Sequence, residues 1–140
     1  MKPIVIDASV AAAWVLPDES SDAALALYAQ ATDESDVFHA PLLWTWETGN
    51  LLTMAARCRR ITPEQVEQGL ELLGAAQVGF DAPMTPHRQA QTARMAQTHG
   101  LTFYDASYLE LVLRLNGQLA SLDLQLLAAA RTCGIVCLTV

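Results

Sequence analysis

The chain has 140 residues, of which 52% are hydrophobic and 16% are charged, and its 15 acidic residues outnumber 8 basic ones to give a net charge of −7. This composition excludes a disordered chain and indicates one globular domain over residues 1–140. The acidic balance also argues against a protein that grips nucleic acid through a broadly basic surface.

Cysteine usage and the length of the apolar runs point to a cytoplasmic protein. Cys58, Cys133 and Cys137 form neither a C-x-x-C pair nor a Cys/His cluster, so a zinc site or a secreted disulfide framework is not expected. The apolar run over residues 8–16 ends at Pro17, well short of the roughly 20 residues that a spanning helix needs. No signal peptide is recognisable, so we expect neither secretion nor a membrane anchor.

Short apolar segments alternate with helical ones along the chain. Strands are predicted at residues 3–7, 37–40, 76–80, 118–122 and 135–138. Helices are predicted after residue 8, over 18–31 and 41–60, from 62 onward, and over 85–99, 105–115 and 123–132. The order predicts an α/β fold with a short, mostly parallel sheet of four to five strands and helices on both faces. Ligands of such folds bind beyond the carboxyl ends of the strands.

Two acids stand at that predicted edge of the sheet. Asp7 ends the first strand, and Asp123 follows the fourth strand directly before a helix. Each could simply cap the helix that follows it. Hydroxyl groups accompany both acids, since Ser9 lies two residues after Asp7 and Ser121 two before Asp123. The serines are equally typical of turns and caps.

Glu47 is the only charged residue between positions 40 and 56. Spacings of four and three residues place Leu43, Glu47 and Asn50 on one stripe of the predicted helix. Burying an unpaired carboxylate costs several kcal/mol, so Glu47 is either one half of a buried hydrogen-bonded pair or a functional acid. Asp105 lies where the next-to-last predicted helix begins, so a cap and a functional acid are again the alternatives.

A parallel sheet could bring these acids together at one edge. Like charges in a partly buried pocket raise one another's pKa unless a cation lies among them. Oxygen ligands without cysteine or a compact histidine motif favour Mg²⁺ or Mn²⁺ over zinc.

Four segments of the sequence resemble the PIN domain, specifically the VapC-type ribonuclease toxins of toxin-antitoxin modules. They read VIDAS at 5–9, WETGN at 46–50, YDASYL at 104–109 and LASLD at 119–123. The resemblance implies that Asp7, Glu47, Asp105 and Asp123 hold one or two Mg²⁺ or Mn²⁺ ions and hydrolyse RNA phosphodiester bonds. It gives Ser9, Asn50 and Ser121 supporting positions near that site.

The same resemblance implies a homodimer and a cognate antitoxin protein that blocks the active site. Other residues are open to two interpretations. One interpretation is that the RNA backbone is contacted by Arg88, Arg94 and the arginine cluster at residues 57, 59 and 60. For the cluster, the alternative is that it complements the dipole of the helix that it ends. Trp44 and Trp46 either stack on bases or fill the core or an interface, and Cys58 is expected to be buried or at an interface.

Three alternatives to a nuclease fit parts of the pattern. A signalling receiver also places acids at strand ends, but it needs a lysine late in the fold and the only lysine is Lys2. A haloacid-dehalogenase-like phosphatase needs Asp-x-Asp after the first strand, and in this chain Ser9 stands where that motif has its second Asp. A PIN fold that only binds or scaffolds is disfavoured by the four acids.

Overall fold

Five parallel strands form the centre of the fold. The computed structural model describes residues 2–140, so Met1 of the predicted domain lies outside the described residues. The strands are β1 (Ile4–Ile6), β2 (Phe38–Ala40), β3 (Val78–Phe80), β4 (Gln118–Ala120) and β5 (Cys137–Leu138). They lie in the order β3-β2-β1-β4-β5, and all four pairings are parallel. The predicted α/β class is confirmed, with five strands.

Within residues 2–140, seven α-helices lie around this sheet. They are α1 (Ala8–Val15), α2 (Asp22–Asp33), α3 (Leu43–Arg57), α4 (Pro63–Ala75), α5 (Pro86–His99), α6 (Phe103–Arg114) and α7 (Leu124–Thr132). Successive residues of a strand face opposite sides of a sheet, and both Val5 and Ile6 in the central strand are fully buried. Helices therefore cover both faces. Within residues 2–140 no helix has the length and hydropathy needed to cross a bilayer.

Two predicted helix ends differ from the observed ones for local reasons, since Ser21 caps α2 through the amide of Ala24 and Arg59 adopts a left-handed φ of 59° after α3. The second helix was predicted from residue 18 but begins at Asp22, and the third was predicted to residue 60 but ends at Arg57. Arg60 instead turns toward Asp18 and Glu19, with nitrogen to oxygen distances of 2.9 and 2.7 Å. This exposed ion cluster joins the two loops and contributes little stability.

Gly117, which follows the helix predicted over residues 105–115, is required for close packing. The left-handed residue after α6 is Asn116, at φ 51°, whereas a Cβ on Gly117 would lie 2.6 Å from the carbonyl oxygen of Pro3. We expect Gly117→Ala to lower the free energy of unfolding by about 1–3 kcal/mol, because backbone must move to admit the methyl group. Gly74→Ala is the matched control, since a Cβ there meets nothing within 4 Å. Urea unfolding measures both, and equal stability of Gly117→Ala and wild type would contradict the argument.

Candidate acidic site

The carboxyl ends of β1 and β4 bring two acids to the same edge of the sheet. The strands are neighbours in register, with Ile6 opposite Ala120, so the segments that follow them leave the sheet together. Asp7 caps α1 by accepting a hydrogen bond from the amide of Ser9, and Asp123 caps α7 through the amide of Leu126 at 3.0 Å. Both residues therefore cap helices, as one interpretation predicted, and also lie at the ligand-binding edge.

Asp7 is the most buried of the acids, with 5% of its surface exposed. Its carboxylate accepts hydrogen bonds from the hydroxyls of Ser9 at 2.5 Å and Ser121 at 2.6 Å. Burial raises the pKa of Asp7 above its usual range even though these hydrogen bonds act to lower it. The side chain is thus fixed in place but costly to ionise.

The two serines connect Asp7 to the loop that carries Asp123. The hydroxyl of Ser9 accepts a hydrogen bond from the amide of Leu122 at 2.8 Å, and that of Ser121 accepts one from the amide of Asp123 at 2.9 Å. Each hydroxyl therefore donates a hydrogen bond to the Asp7 carboxylate and accepts one from a backbone amide of the segment between β4 and α7. Loss of either serine would leave a loop amide and a carboxylate oxygen without this partner.

Glu47 is held by a residue that the sequence pattern did not single out. The hydroxyl of Tyr108 donates a hydrogen bond to Glu47 Oε1 at 2.5 Å, and the Tyr108 side chain is 1% exposed. Burial raises the pKa of Glu47, and the charges of Asp105 and Asp7 raise it further against the lowering effect of the Tyr108 hydrogen bond. The predicted hydrogen-bonded pair of Glu47 therefore exists with Tyr108 as the partner, whereas Asn50 is exposed and is not that partner.

Tyr108 lies three residues after Asp105, and residues at this spacing share a helix face. That spacing is the signal from which its place beside the acids could have been predicted. Its hydroxyl stays protonated, because burial and the Glu47 carboxylate raise its pKa.

Asn50 has no hydrogen bond to Glu47 within the described residues, and its supporting role stays a prediction.

Asp105 does not cap its helix. The cap of α6 is Thr102, whose hydroxyl accepts a hydrogen bond from the amide of Asp105 at 3.1 Å. The predicted cap role of Asp105 is therefore wrong, and the residue lies in the first turn with its carboxyl partly buried. Burial raises the pKa of Asp105, and the charges of Asp123 and Asp7 raise it further.

The four acids influence one another electrostatically without a basic partner. Among residues 2–140, none of the four forms a salt bridge. In the same range, no three Asp, Glu, His or Cys side chains lie close enough to form a ready-made cation site. The acids therefore share a repulsive field with their carboxylates still apart. An all-oxygen donor set that is partly buried and uncompensated fits a hard divalent cation such as Mg²⁺ or Mn²⁺.

The strongest ionic cluster includes none of these four acids. Arg88 and Arg114 both bind Asp81 and Glu110; the Arg114 contacts measure 2.5 and 2.8 Å. Burial acts to raise the pKa of Asp81, but hydrogen bonds and charge from Arg114 and Arg88 outweigh it and hold that pKa below its usual value. Arg88, considered above as an RNA contact, is thus already engaged within the protein.

The two tryptophans of α3 have opposite surroundings. Trp44 is buried and donates its indole N–H to the backbone carbonyl of Asp7 at 3.1 Å, which confirms the core interpretation for this residue. Trp46 is 79% exposed, so the core interpretation is wrong for its neighbour. Cys58 is also exposed rather than buried in this chain, and all three cysteines are free.

Comparison with known proteins gives consistent matches across the chain. The sequence model of the PIN domain matches residues 4–132. Ribonuclease VapC3 of Pyrobaculum aerophilum is 32% identical over 127 residues, which cover 88% of this chain and 91% of that protein. The crystal structure of PAE2754 from Pyrobaculum aerophilum superposes with a TM-score of 0.72 at 26% identity and covers 97% of this chain and 83% of its own. VapC20 of Mycobacterium tuberculosis superposes with a TM-score of 0.67 at 21% identity, covering 90% of this chain and 94% of its own.

Proposed function

Because the chain belongs to the PIN-domain family and is of its VapC type, we propose that it is a metal-dependent endoribonuclease and the toxin of a toxin-antitoxin pair. Asp7, Glu47, Asp105 and Asp123 would hold Mg²⁺ or Mn²⁺. Membership of the PIN-domain family also excludes the signalling receiver and the haloacid-dehalogenase-like phosphatase as alternatives. A PIN fold that binds RNA without cutting it is the outcome against which the proposal is tested.

One observation supports this proposal: the charges of Asp105 and Asp7 raise the pKa of Glu47, and those of Asp123 and Asp7 raise the pKa of Asp105. Within residues 2–140 none of these acids forms a salt bridge. Helix capping accounts for Asp7 and Asp123, but it does not account for Glu47 and Asp105, which are partly buried without a basic partner within residues 2–140. Mutual repulsion at a partly buried edge lowers stability. The arrangement is understandable when the acids serve a bound cation.

The residues of the chain would have different roles at such a site. A divalent cation bound there supplies positive charge to phosphate oxygens and lowers the pKa of water. Asp7 is fixed from both sides by Ser9 and Ser121, and Glu47 is fixed by Tyr108. Asp105 is partly exposed and lies where substrate can approach. These hydrogen bonds orient the carboxylates before any cation binds.

The acidity of the chain is compatible with an RNA substrate. The four acids contribute −4 of the net −7, so the remainder of the chain carries −3. RNA binding would then depend on the cation at the site rather than on the field of the whole protein. The proposal further includes a homodimer, a cognate antitoxin as partner, and a cytoplasmic location, with which the three free cysteines agree.

The function is tested by incubating purified protein with total RNA in Mg²⁺ or Mn²⁺, against an EDTA control, and mapping the new RNA ends. We expect internal cuts that require the cation. Intact RNA under all conditions, combined with RNA binding in a gel-shift assay, would identify a binding module instead.

Tyr108→Phe tests how Glu47 is held. Removing the hydroxyl leaves the ring to fill the core but frees Glu47 Oε1, so we expect Mn²⁺ affinity to fall about 10- to 100-fold, as when a residue behind a metal ligand is lost. Isothermal titration calorimetry measures this without RNA. Tyr28→Phe is the matched control, because its hydroxyl donates at 2.7 Å to the carbonyl of Leu72, on α4 and outside the acidic site. Equal Mn²⁺ affinity in both variants would contradict a positioning role for Tyr108.

A further inference from the structure

A cleft of about 220 Å³ is lined by residues of the two helices that carry Glu47 and Asp105. It lies between the start of α3, the loop from β3 to α5, and the start of α6. Two of its walls belong to elements that carry the acids. Leu43 is one helical turn before Glu47, and Tyr104 immediately precedes Asp105. A group seated in the cleft would therefore be a close neighbour of anything bound at the acids.

The lining of the cleft is aromatic and aliphatic. Phe103 and Tyr104 are 36% and 61% exposed, and Leu42 is 43% exposed. Pro83 and Met84 form the opposite wall. Rings that remain this accessible at the start of a helix offer faces on which a planar group can stack.

The only charged groups in the lining cancel each other. Asp81 and Arg88 face the cleft and are paired with one another, and Glu110 and Arg114 complete a cluster of two acids and two bases. This balance gives no preference for an anionic phosphate. The cluster instead presents hydrogen-bond donors and acceptors at the rim of an apolar slot.

The ionic cluster also fixes the shape of the cleft. It ties the β3–α5 loop, through Asp81, to α5 and α6, and Glu110 is 3% exposed. Clefts for drug-sized ligands measure roughly 300–1,000 Å³, so this smaller one suits a single ring system. An uncharged planar ring with polar edges is the chemistry of a nucleobase.

We propose that this cleft is a subsite for one unpaired nucleobase of the RNA, next to the phosphate that lies at the acids. The proposal rests on the proposed function, since it places the base of a substrate whose backbone the acids would bind. Single-stranded RNA is commonly recognised by splayed bases that stack on aromatic side chains and bond through their edges. In this chain Tyr104 would supply the stacking face, while Asp81 and Arg88 would meet the edge.

The test combines binding with cleavage. A random-sequence RNA pool is cut by the wild-type protein, and a fluorescent ten-nucleotide RNA of the most frequently cut sequence is then titrated in Mn²⁺ against proteins carrying Asp105→Asn. We expect Tyr104→Ala, which removes the ring, and Met84→Trp, which fills the slot, to weaken RNA binding about 5- to 100-fold. Both should also flatten the base frequencies beside the cut in an active background. Tyr104→Phe keeps the ring and should bind like the parent, as should the distant surface control Leu70→Ala.

The outcomes separate this subsite from the proposed function. RNA binding without cleavage by the wild-type chain would overturn the function, and the affinities of the same variants for a fluorescent random-sequence ten-nucleotide RNA would then decide the subsite. Cleavage with unchanged affinity and base frequencies in both Tyr104→Ala and Met84→Trp, at unchanged Tm, would overturn the subsite and leave the cleft to a protein segment.

Discussion

Replacing Asp105 by Asn is expected to reduce RNA cleavage by at least about 100-fold while leaving the fold intact. Loss of a residue behind a metal ligand costs up to about 100-fold, and Asp105 is proposed as a ligand itself. The fold should survive because Thr102, not Asp105, caps α6. In EDTA the variant should be as stable as wild type or more so, since burial and the charge of Asp123 raise the pKa of Asp105 and make its ionised form unfavourable.

Glu64→Gln is the matched control for this variant. Glu64 also lies in the first turn of a helix and loses the same charge, but it is exposed and far along the chain from the acids. Cleavage of one RNA in Mn²⁺ is measured for both variants alongside thermal unfolding in EDTA. Wild-type cleavage by Asp105→Asn would remove this residue from the proposed site, and a lower Tm would show that its charge has a structural role.

Features encoded by neighbouring residues were predictable from the sequence. The strand and helix order follows from short apolar runs separated by caps. Thr62 and Pro63 begin α4 as predicted, with Gln65 completing a capping box, and Gly100 ends α5 at φ 65°. Such signals need only a few residues of context, because caps and left-handed turns are local.

Pairings between distant segments were not predictable in this way. The residue that holds Glu47 is 61 positions away, and Arg88 meets Glu110 across 22 positions. The spacing of Tyr108 from Asp105 places it on the same helix face as that acid, but no spacing identifies Glu47 as its partner or Glu110 as the partner of Arg88, because these contacts depend on how α3, α5 and α6 pack. Asp105 was a candidate cap because sequence patterns place a helix start only to within about two to four residues, and the observed cap, Thr102, lies three residues earlier.

The stability of the metal-free chain should decrease as the pH rises from about 5 to 7. The pKa values of Asp7, Glu47 and Asp105 are all raised above their ordinary values of 3.8 to 4.5, and burial is the largest cause for each residue. An acid whose pKa is higher in the folded than in the unfolded state stabilises the fold at pH values below its unfolded-state pKa. This stability is lost as the pH rises through its folded-state pKa. Below about pH 4 the lowered pKa of Asp81 acts in the opposite direction, so Tm in EDTA should pass through a maximum on the acidic side.

A bound divalent cation should remove this pH dependence, because it stabilises the ionised carboxylates. At about 100 times its Kd, Mn²⁺ would add about 2.7 kcal/mol, a Tm increase of roughly 10 °C for a domain of this size. The increase should be larger at pH 7 than at pH 5, where protons compete for the acids that face one another. Differential scanning fluorimetry in EDTA and in Mn²⁺ measures both slopes, and Asp105→Asn should flatten the slope in EDTA while other titrating groups stay unchanged. A Tm in EDTA that increases from pH 5 to 7, or an Mn²⁺ effect independent of pH, would contradict a crowded acidic site.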